Sequence, residues 1–428
     1  MTLPGRRIGI GPERRPTKGA PGQNGQPARQ RVRLPSMSID QSRPSRLSRT
    51  GADAIPALAD RLARLAGQAG ITGADVILIG PGPDLEYFLG HSVGSHERLT
   101  CLVVPASGDP ALLVPTLERP GWSGTPVESL DVAISTWTDG EDPYRALAAV
   151  LPPRARVLAV DYHMPAVHAL NAQAAVPGSE LTLAGEAIAE LRMRKSEEEI
   201  GALAAAGAAI DRVQRRISEW LRAGRTENEV AADIARAIVA EGHQRPDFVI
   251  VGSGPNGASP HHEASDRVIE AGDVVVIDIG GPMPSGYFSD CTRTYVVAPA
   301  DGEAVATDAS EVYDIVRRAQ AAGVAAVRPG VTAESVDAAA RAVIEEAGFG
   351  NYFITRTGHG IGLEVHEHPY VVAGNAQVLE PGMAFSVEPG IYLPGRFGVR
   401  IEDIVVVGDD GPVLMNTAPT GLTVVGAS

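Results

Sequence analysis

Two apolar runs of the chain each end in a carboxylate, and their spacing is the clearest sign of chemistry. The first run is Glu270-Ala-Gly-Asp-Val-Val-Val-Ile-Asp-Ile-Gly280. After an offset of 110 residues, Glu380-Pro-Gly-Met-Ala-Phe-Ser-Val-Glu-Pro-Gly390 repeats its first glutamate, its two glycines and, as Glu388 for Asp278, its acid. Acids are uncommon in strands, and an isolated buried carboxylate is costly unless a cation or a donor meets it. We therefore interpret the runs as strands from two related halves that face one charge centre, most simply a metal site.

The strand predicted after each run carries a further acid. Asp290 lies in Tyr287–Val297, Glu402 lies in Val399–Val407, and a glycine-rich segment between the halves carries His359. Oxygen ligands with a single imidazole suit Mn(II), Co(II), Fe(II) or Zn(II) better than a thiolate-type site would. Four carboxylates exceed the usual ligand set of one catalytic zinc, whereas two metals about 3.5–4 Å apart would use them all. The alternative is four acids that are paired separately for structural reasons.

Two helices predicted in the same part of the chain also repeat. One runs from Thr226 to Gly242 and the other from Thr332 to Gly348, and in both the glycine lies sixteen positions after the threonine. Threonine is a common N-cap, and glycine commonly ends a helix. Two such helices of equal length, each leading into one of the paired strands, indicate an internally duplicated domain with pseudo-twofold symmetry.

The preceding part of the chain has the pattern of a first α/β domain. An amphipathic helix is predicted over Ala54–Ala69, and its alternation with strands indicates an α/β unit. Ser196 with Glu199 forms a capping-box pattern that predicts a long helix ending near Arg222, so the domain boundary is expected near residue 185. The predicted strands are Asp75–Ile79, Thr100–Val104, Ala111–Val114 and Val157–Val160.

Composition excludes several classes of protein. A net charge of −15 argues against nucleic acid as the main partner, because phosphate binding needs a basic surface. Two cysteines cannot build a disulfide framework, which favours a reducing, cytoplasmic location, and no apolar run is long enough for a membrane span. Residues 1–45 are basic, rich in Pro and Gly, and lack the apolar core of an export signal. We expect a disordered tail there, or initiation near Met37.

The C-terminal motifs together resemble the metallopeptidase family of prolidases, aminopeptidase P and methionine aminopeptidases, which has the pita-bread fold. The preceding domain and its linker are similar to the Xaa-Pro-cleaving branch. After the tail expected at 1–45, the resemblance implies a creatinase-like N-terminal α/β domain at 46–184 and a pita-bread catalytic domain at 185–428. The matching motifs are Asp278-Ile-Gly, Ser289-Asp-Cys-Thr-Arg-Thr294, Gly358-His-Gly-Ile-Gly-Leu-Glu-Val-His-Glu367, Ser386-Val-Glu-Pro-Gly-Ile-Tyr392 and Val399-Arg-Ile-Glu-Asp403.

The resemblance also implies roles for individual residues. His261 and His366 match the family histidines near the substrate, and Glu388 would shuttle a proton. Arg400, two residues before Glu402 on the same predicted strand face, would hold a ligating carboxylate in place. His262 and His368 are expected to be structural or solvent-facing, and Tyr392 to lie near the metals or in the core. The resemblance implies two metal ions, with Mn(II) or Co(II) preferred and Zn(II) or Fe(II) as alternatives. Their implied ligands are Asp278, Asp290, His359, Glu388 and Glu402.

Two positions depart from the family pattern. The hairpin from Asp278 to Asp290 is one residue longer than usual, and a shift inside a strand would turn Asp290 to the wrong face, so the Pro-Met-Pro turn must absorb it. Tyr370 stands where several prolidases carry an arginine. If that arginine binds the free carboxylate of a dipeptide, its absence here would weaken selectivity for dipeptides. We therefore expect tripeptides to be cleaved within about tenfold of dipeptides unless another cation, such as Arg396, takes that place.

The function implied is hydrolysis of the bond before proline, in dipeptides or at peptide N-termini, with a metal-bridging hydroxide as the nucleophile. The implied partners are a small peptide with proline in its second position and a second copy of the chain in a homodimer. One alternative is a non-peptidase of the same fold, a metal-dependent C–N hydrolase or lyase. Another is a non-catalytic binding protein on this fold. Such proteins typically lose the metal-ligating residues, whereas all five of those positions carry suitable residues here.

Overall fold

The N-terminal region, residues 51–184, is a six-stranded mixed sheet with a hydrophobic cluster on each face. Residues alternate along its central strand, so that Ile77 and Ile79 pack on one side while Val76 and Leu78 pack on the other. The computed structural model describes residues 51–94, 97–299 and 304–426, with side chains from residue 54 onward. The tail predicted at 1–45 therefore lies outside the described residues.

The sheet order is β4-β3-β2-β1-β5-β6 when its strands are numbered along the chain. All four predicted strands are confirmed, and the two outermost strands were not predicted. Among the residues described, no helix is both long and apolar enough to cross a membrane. The elements are α1 (Gly51–Thr72), β1 (Val76–Ile79), α2 (Pro83–Leu89), β2 (Cys101–Pro105), β3 (Ala111–Pro115), β4 (Ala133–Trp137), α3 (Pro143–Val150), β5 (Val157–Val160), α4 (Ala166–Ala175) and β6 (Glu180–Leu183).

Two helices connect this sheet to the rest of the chain: α5 (Gly185–Arg192) and α6 (Glu197–Gln214). The predicted capping box of α6 is confirmed, since the Ser196 and Glu199 side chains each accept a hydrogen bond from the other's backbone N–H. The predicted end near Arg222 is wrong, because the chain leaves α6 after Gln214 and tightens into a 3₁₀ turn that buries Ile217. The described residues form one compact unit, so the boundary at 184/185 stays a prediction.

The C-terminal region, residues 185–426, contains two larger sheets and a two-stranded ribbon. Their strand orders are β17-β9-β8-β7, β11-β10-β12-β15-β16 and β13-β14. Its remaining elements are α7 (Glu227–Ala240), β7 (Phe248–Ser253), β8 (Val274–Pro282), β9 (Phe288–Val297), α8 (Thr307–Ala326), α9 (Ala333–Glu346), β10 (Gly358–Gly360), β11 (Glu367–Val371), β12 (Ala384–Val387), β13 (Gly390–Leu393), β14 (Phe397–Arg400), β15 (Asp403–Val407), β16 (Pro412–Leu414) and β17 (Thr423–Val425).

The predicted internal duplication is visible in the backbone. Thr226 and Thr332 both occupy extended N-cap positions, although only the Thr226 side chain makes a capping bond. Each threonine also forms an isolated bridge to the segment before the paired strands, to Val268 in one half and to Val378 in the other. Gly272 and Gly382 then turn the chain at the same backbone φ of 86°, a value that favours glycine.

Candidate metal centre

The four predicted acids converge from both halves of the duplicated region. Asp278 lies in β8 and Asp290 in β9, while Glu388 directly follows β12 and Glu402 directly precedes β15. The β8–β9 register is unbroken from Val274 to Pro282, which confirms that the Met283–Tyr287 turn absorbs the additional residue.

The predicted symmetry is wrong for the second pair of acids, because Asp290 and Glu402 do not occupy corresponding positions in the two halves. Across the first hairpin Asp290 faces Gly280, and across the second the residue facing Gly390 is Arg400, so Asp290 and Arg400 occupy corresponding positions. Glu402 does not lie in a strand with Arg400 either, because the strand is interrupted at Ile401 and Glu402. The interruption lets the Glu402 N–H donate to Thr292 O in the other half, at 3.1 Å.

His359 stands among these acids with one ring nitrogen available to a ligand. Its Nε2 lies 3.1 Å from Glu388 Oε1 and 3.6 Å from Asp290 Oδ2. Its Nδ1 lies 3.1 Å from Gly360 O, and an N–H donated there leaves the Nε2 lone pair free. His359, Asp290 and Glu402 can each offer one ligand atom within 4.8 Å of the others.

Unsatisfied oxygens mark the centre of the cluster. Among the described residues, only four buried side-chain N or O atoms lack a hydrogen-bond partner, and three of them are Asp278 Oδ1, Asp290 Oδ1 and Glu402 Oε1. Buried polar atoms without partners are rare in native proteins, and each one calls for an explanation. Three such atoms from separate elements, pointing into one acidic cluster, fit divalent metal ions.

The electrostatics of the cluster support the same fit. Burial raises the pKa of Asp290 and of Glu402 well above the usual range, and the neighbouring carboxylates raise both further. Among the described residues, the guanidinium within salt-bridge distance of these four carboxylates is that of Arg400, which donates to Asp278 Oδ2 at 2.7 Å and to the Tyr392 hydroxyl at 2.8 Å. Four carboxylates beside one guanidinium leave an excess of negative charge that bound cations would neutralise.

Of the two predicted substrate histidines, His366 lies beside this cluster. The His366 ring stands edge-on to His359, with ring centroids 4.2 Å apart at 90°. Burial lowers the pKa of His366 to about 4, with smaller contributions from His359, Arg356 and His261, so His366 is neutral at pH 7. His261 is exposed, on the segment between β7 and β8.

The other predicted histidines lie elsewhere. His262 Nε2 lies 2.8 Å from the buried Glu227 carboxylate, which is the structural role expected. The His368 ring packs on Tyr370 with centroids 4.9 Å apart. Tyr392 is buried, as the core alternative predicts, and its hydroxyl accepts a hydrogen bond from Arg400, which also donates to Asp278.

The structure changes the expectation about a missing cation near Tyr370. Arg396 is an exposed side chain that pairs with Asp308, which makes it the weaker candidate for that cation. Arg356, which the sequence did not single out, places its guanidinium 4.6 Å from the Tyr370 ring centroid. It is half-buried and has no carboxylate within salt-bridge distance among the described residues, and it acts on His366 electrostatically.

Sequence reasoning also missed two residues that position the site. Ser386 Oγ accepts from the His359 backbone N–H and donates to Glu388 Oε1, both at 3.0 Å. Its place two residues before Glu388, on the same strand face, was the available signal. Glu227 anchors the segment with His261, and its position after an N-cap threonine gave no such signal.

Comparison with known proteins places each part of the chain. Residues 201–409 match metallopeptidase family M24, and residues 61–194 match the creatinase/prolidase N-terminal domain. The chain is 52% identical over 370 residues to the probable dipeptidase PepE of Mycobacterium tuberculosis, which spans 86% of this chain and 97% of that protein. It is 36% identical over 354 residues to the Xaa-Pro dipeptidase of Lactobacillus helveticus, spanning 79% of this chain and 91% of the relative. The crystal structure of dipeptidase PepE from Mycobacterium ulcerans matches with a TM-score of 0.82 and 50% identity, covering 87% of this chain and 98% of that one.

Proposed function

Because this chain belongs to metallopeptidase family M24, in its prolidase and aminopeptidase P branch, we propose that it is a dinuclear metal-dependent dipeptidase cleaving the bond before proline. The observation that carries the proposal is the set of three buried, partnerless carboxylate oxygens on Asp278, Asp290 and Glu402, the last two beside His359. A structural cluster of acids would satisfy those oxygens within the protein. A metal centre needs them free.

The residues that would hold the ions are Asp278, Asp290, His359, Glu388 and Glu402. Carboxylates with one imidazole favour Mn(II) or Co(II), with Zn(II) or Fe(II) as alternatives. Bound divalent ions supply Lewis acidity toward the substrate carbonyl and lower the pKa of water. Arg400 fixes the orientation of Asp278, and Ser386 fixes that of Glu388.

The chain's own groups would then handle the proton and the oxyanion. Ser386 donates to Glu388 Oε1, which favours the ionised carboxylate that can accept a proton. Glu388 would carry that proton to the departing proline nitrogen. A neutral His366, with His261, would donate an N–H to the carbonyl oxygen as negative charge develops on it.

Arg356 supports a preference for dipeptides. An Xaa-Pro dipeptide ends in a carboxylate directly after proline, and a guanidinium without an acidic partner is suited to bind it. The chain's relatives in Mycobacterium tuberculosis and Lactobacillus helveticus are described as dipeptidases. We therefore replace the expectation of similar dipeptide and tripeptide cleavage with a preference for dipeptides.

The test compares matched peptides with protein reconstituted in Mn(II), Co(II) or Zn(II). Xaa-Pro, Xaa-Ala and Xaa-Pro-Yaa peptides share the same first residue, and only the proline imide lacks an N–H. We expect kcat/KM to be highest for Xaa-Pro. Equal cleavage of Xaa-Ala would remove the proline specificity, and no cleavage of any peptide would favour the C–N hydrolase, lyase or binding-protein alternatives. The homodimer and the cytoplasmic location stay predictions.

A further inference from the structure

A closed ring of four charged side chains joins the N-terminal region to the segment that carries His366. Arg192 Nη1 donates to Asp84 Oδ1 at 2.6 Å and to Glu364 Oε2 at 2.7 Å. His163 completes the ring, with Nε2 2.9 Å from Glu364 Oε1 and Nδ1 3.2 Å from Asp84 Oδ2. We call Asp84, His163, Arg192 and Glu364 the charge ring. Two of its members, Asp84 and His163, come from the N-terminal sheet region.

A second contact extends the ring to the next acid along the chain. Arg192 Nη2 donates to Glu367 Oε2 at 2.5 Å, and Lys195 Nζ donates to the other oxygen of the same carboxylate. Arg192, Lys195 and Glu367 are all buried. The acids on both sides of the Val365–His366 pair are therefore held by cations outside that segment.

The charges of the ring alternate, and the buried Asp161 carboxylate is a further acid, 3.7 Å from His163 Nδ1. The neighbouring carboxylates Asp161, Asp84 and Glu364 raise the pKa of His163 to about 11, which keeps its imidazole positively charged at neutral pH. Two cations then alternate with two anions around the ring. The Arg192–Asp84 pair is buried, and removing one partner of a buried ion pair leaves the other charge uncompensated.

The segment has little freedom to adjust independently of these contacts. A side chain at Gly362 would meet Glu367 Oε1 at 2.6 Å, so the backbone lies directly against the clamped carboxylate. Glu367 pairs with Gly360 in the β10–β11 ladder, next to His359. A shift of Glu364 or Glu367 would therefore move His366 relative to His359.

We propose that the charge ring positions His366, so that residues of the N-terminal region control turnover at a site built by the C-terminal region. The proposal rests on the role assigned to His366 under the proposed function. Arg192 and His163 act on the reaction through Glu364 and the segment 362–367. They are positioning residues.

A double-mutant cycle between Glu364→Gln and His366→Ala tests this coupling, with kcat measured on an Xaa-Pro dipeptide at saturating Mn(II). In the wild-type background, we expect Glu364→Gln to lower kcat about tenfold, which is the scale of losing a supporting contact. In the His366→Ala background, the same change should lower kcat less than twofold. Metal content should equal that of the wild type in every variant. His163→Gln, a change at a partly exposed member, should give the same cycle if Glu364→Gln folds poorly.

The matched control is Arg98→Gln, which breaks an exposed ion pair with Asp139 in the same N-terminal region and should change kcat by less than twofold. Equal losses from Glu364→Gln in both backgrounds would overturn the positioning role while leaving the role of His366 intact. Wild-type turnover of His366→Ala would overturn the role proposed for His366 and this inference with it.

Discussion

The two halves of the C-terminal region share their N-cap, bridge and glycine-turn positions, but they anchor the segments with the predicted substrate histidines in different ways. In the first half, Glu227 directly follows the N-cap threonine, and in the second half Ala333 occupies that position; both are fully buried. Glu227 accepts bonds from Ser253, Asn256, His262 and Ser265, which hold the segment with His261. The alanine can do none of this.

In the second half, the corresponding segment is held by side chains that lie outside that half. The segment with His366 is held by Arg192 and Lys195, and through the charge ring by Asp84 and His163. A similar contrast occurs at the candidate metal centre, where Asp290 in one half corresponds to Arg400 in the other. Duplication therefore accounts for the backbone, while the polar contacts of each half are its own.

The largest expected effect tests whether the two histidines do the same work despite their different anchors. His261→Ala and His366→Ala should each lower kcat by about 10²- to 10³-fold, the scale for removing one oxyanion donor. Metal content, measured by elemental analysis, should stay at the wild-type level. The control His368→Ala should keep both turnover and metal. Loss of metal from either of the first two variants would show that the residue is a ligand.

A smaller effect concerns the anchor that only the first half has. Burial opposes the charge of Glu227, yet hydrogen bonds from Ser253, Ser265 and His262 lower its pKa to about 2 from the ordinary 4.5. The carboxylate therefore stabilises the fold above pH 4.5, and this contribution is lost as pH falls toward 2. Glu227→Gln should lower the free energy of unfolding by about 2 kcal/mol at pH 7 and by progressively less below pH 4.5.

Denaturant unfolding across pH 2.5–7 measures that difference. The exposed Glu270→Gln is the matched control and should leave the free energy of unfolding within about 0.5 kcal/mol of the wild type at every pH. A deficit in Glu227→Gln that stays constant down to pH 2.5 would contradict the titration assigned to Glu227.

The smallest expected effect is on substrate length selectivity and concerns Arg356, in the second half. Arg356→Gln should reduce the ratio of kcat/KM for Xaa-Pro over Xaa-Pro-Yaa by about tenfold, because a charge-assisted bond to the terminal carboxylate is lost. Arg396→Gln removes an arginine that pairs with Asp308 and should leave the ratio unchanged. An unchanged ratio in Arg356→Gln would assign carboxylate recognition to another group.

Local patterns predicted much of this molecule. The capped helices, the paired strands with their acids and the four inner strands of the first sheet all follow from short-range spacing, and the family comparisons confirm the predicted fold class. The edge strands β4 and β6 were missed because their side chains are largely exposed or half-buried and show no apolar run. The end of α6 was missed because burial of Ile217 outweighs helix propensity.

The remaining features depend on contacts between residues distant in sequence. Arg192 meets Asp84 across 108 residues and Glu364 across 172, and neither spacing has a local pattern. Arg356 lies on the segment before β10 and reaches Tyr370 only because β10 and β11 pair in an antiparallel ladder. The four acids were found because each lies within or next to an apolar strand, whereas the charge ring lies where helix ends and loops meet.

Metal stoichiometry tests the central claim most directly. Protein reconstituted with excess Mn(II) or Co(II) and freed of unbound ions should contain about two ions per chain, because four carboxylates and one imidazole suit a paired site. His359→Ala and Asp290→Asn should lower that number and abolish turnover. A wild-type protein that is fully active with one ion or none, or an Asp290→Asn variant that keeps two ions, would contradict the dinuclear site.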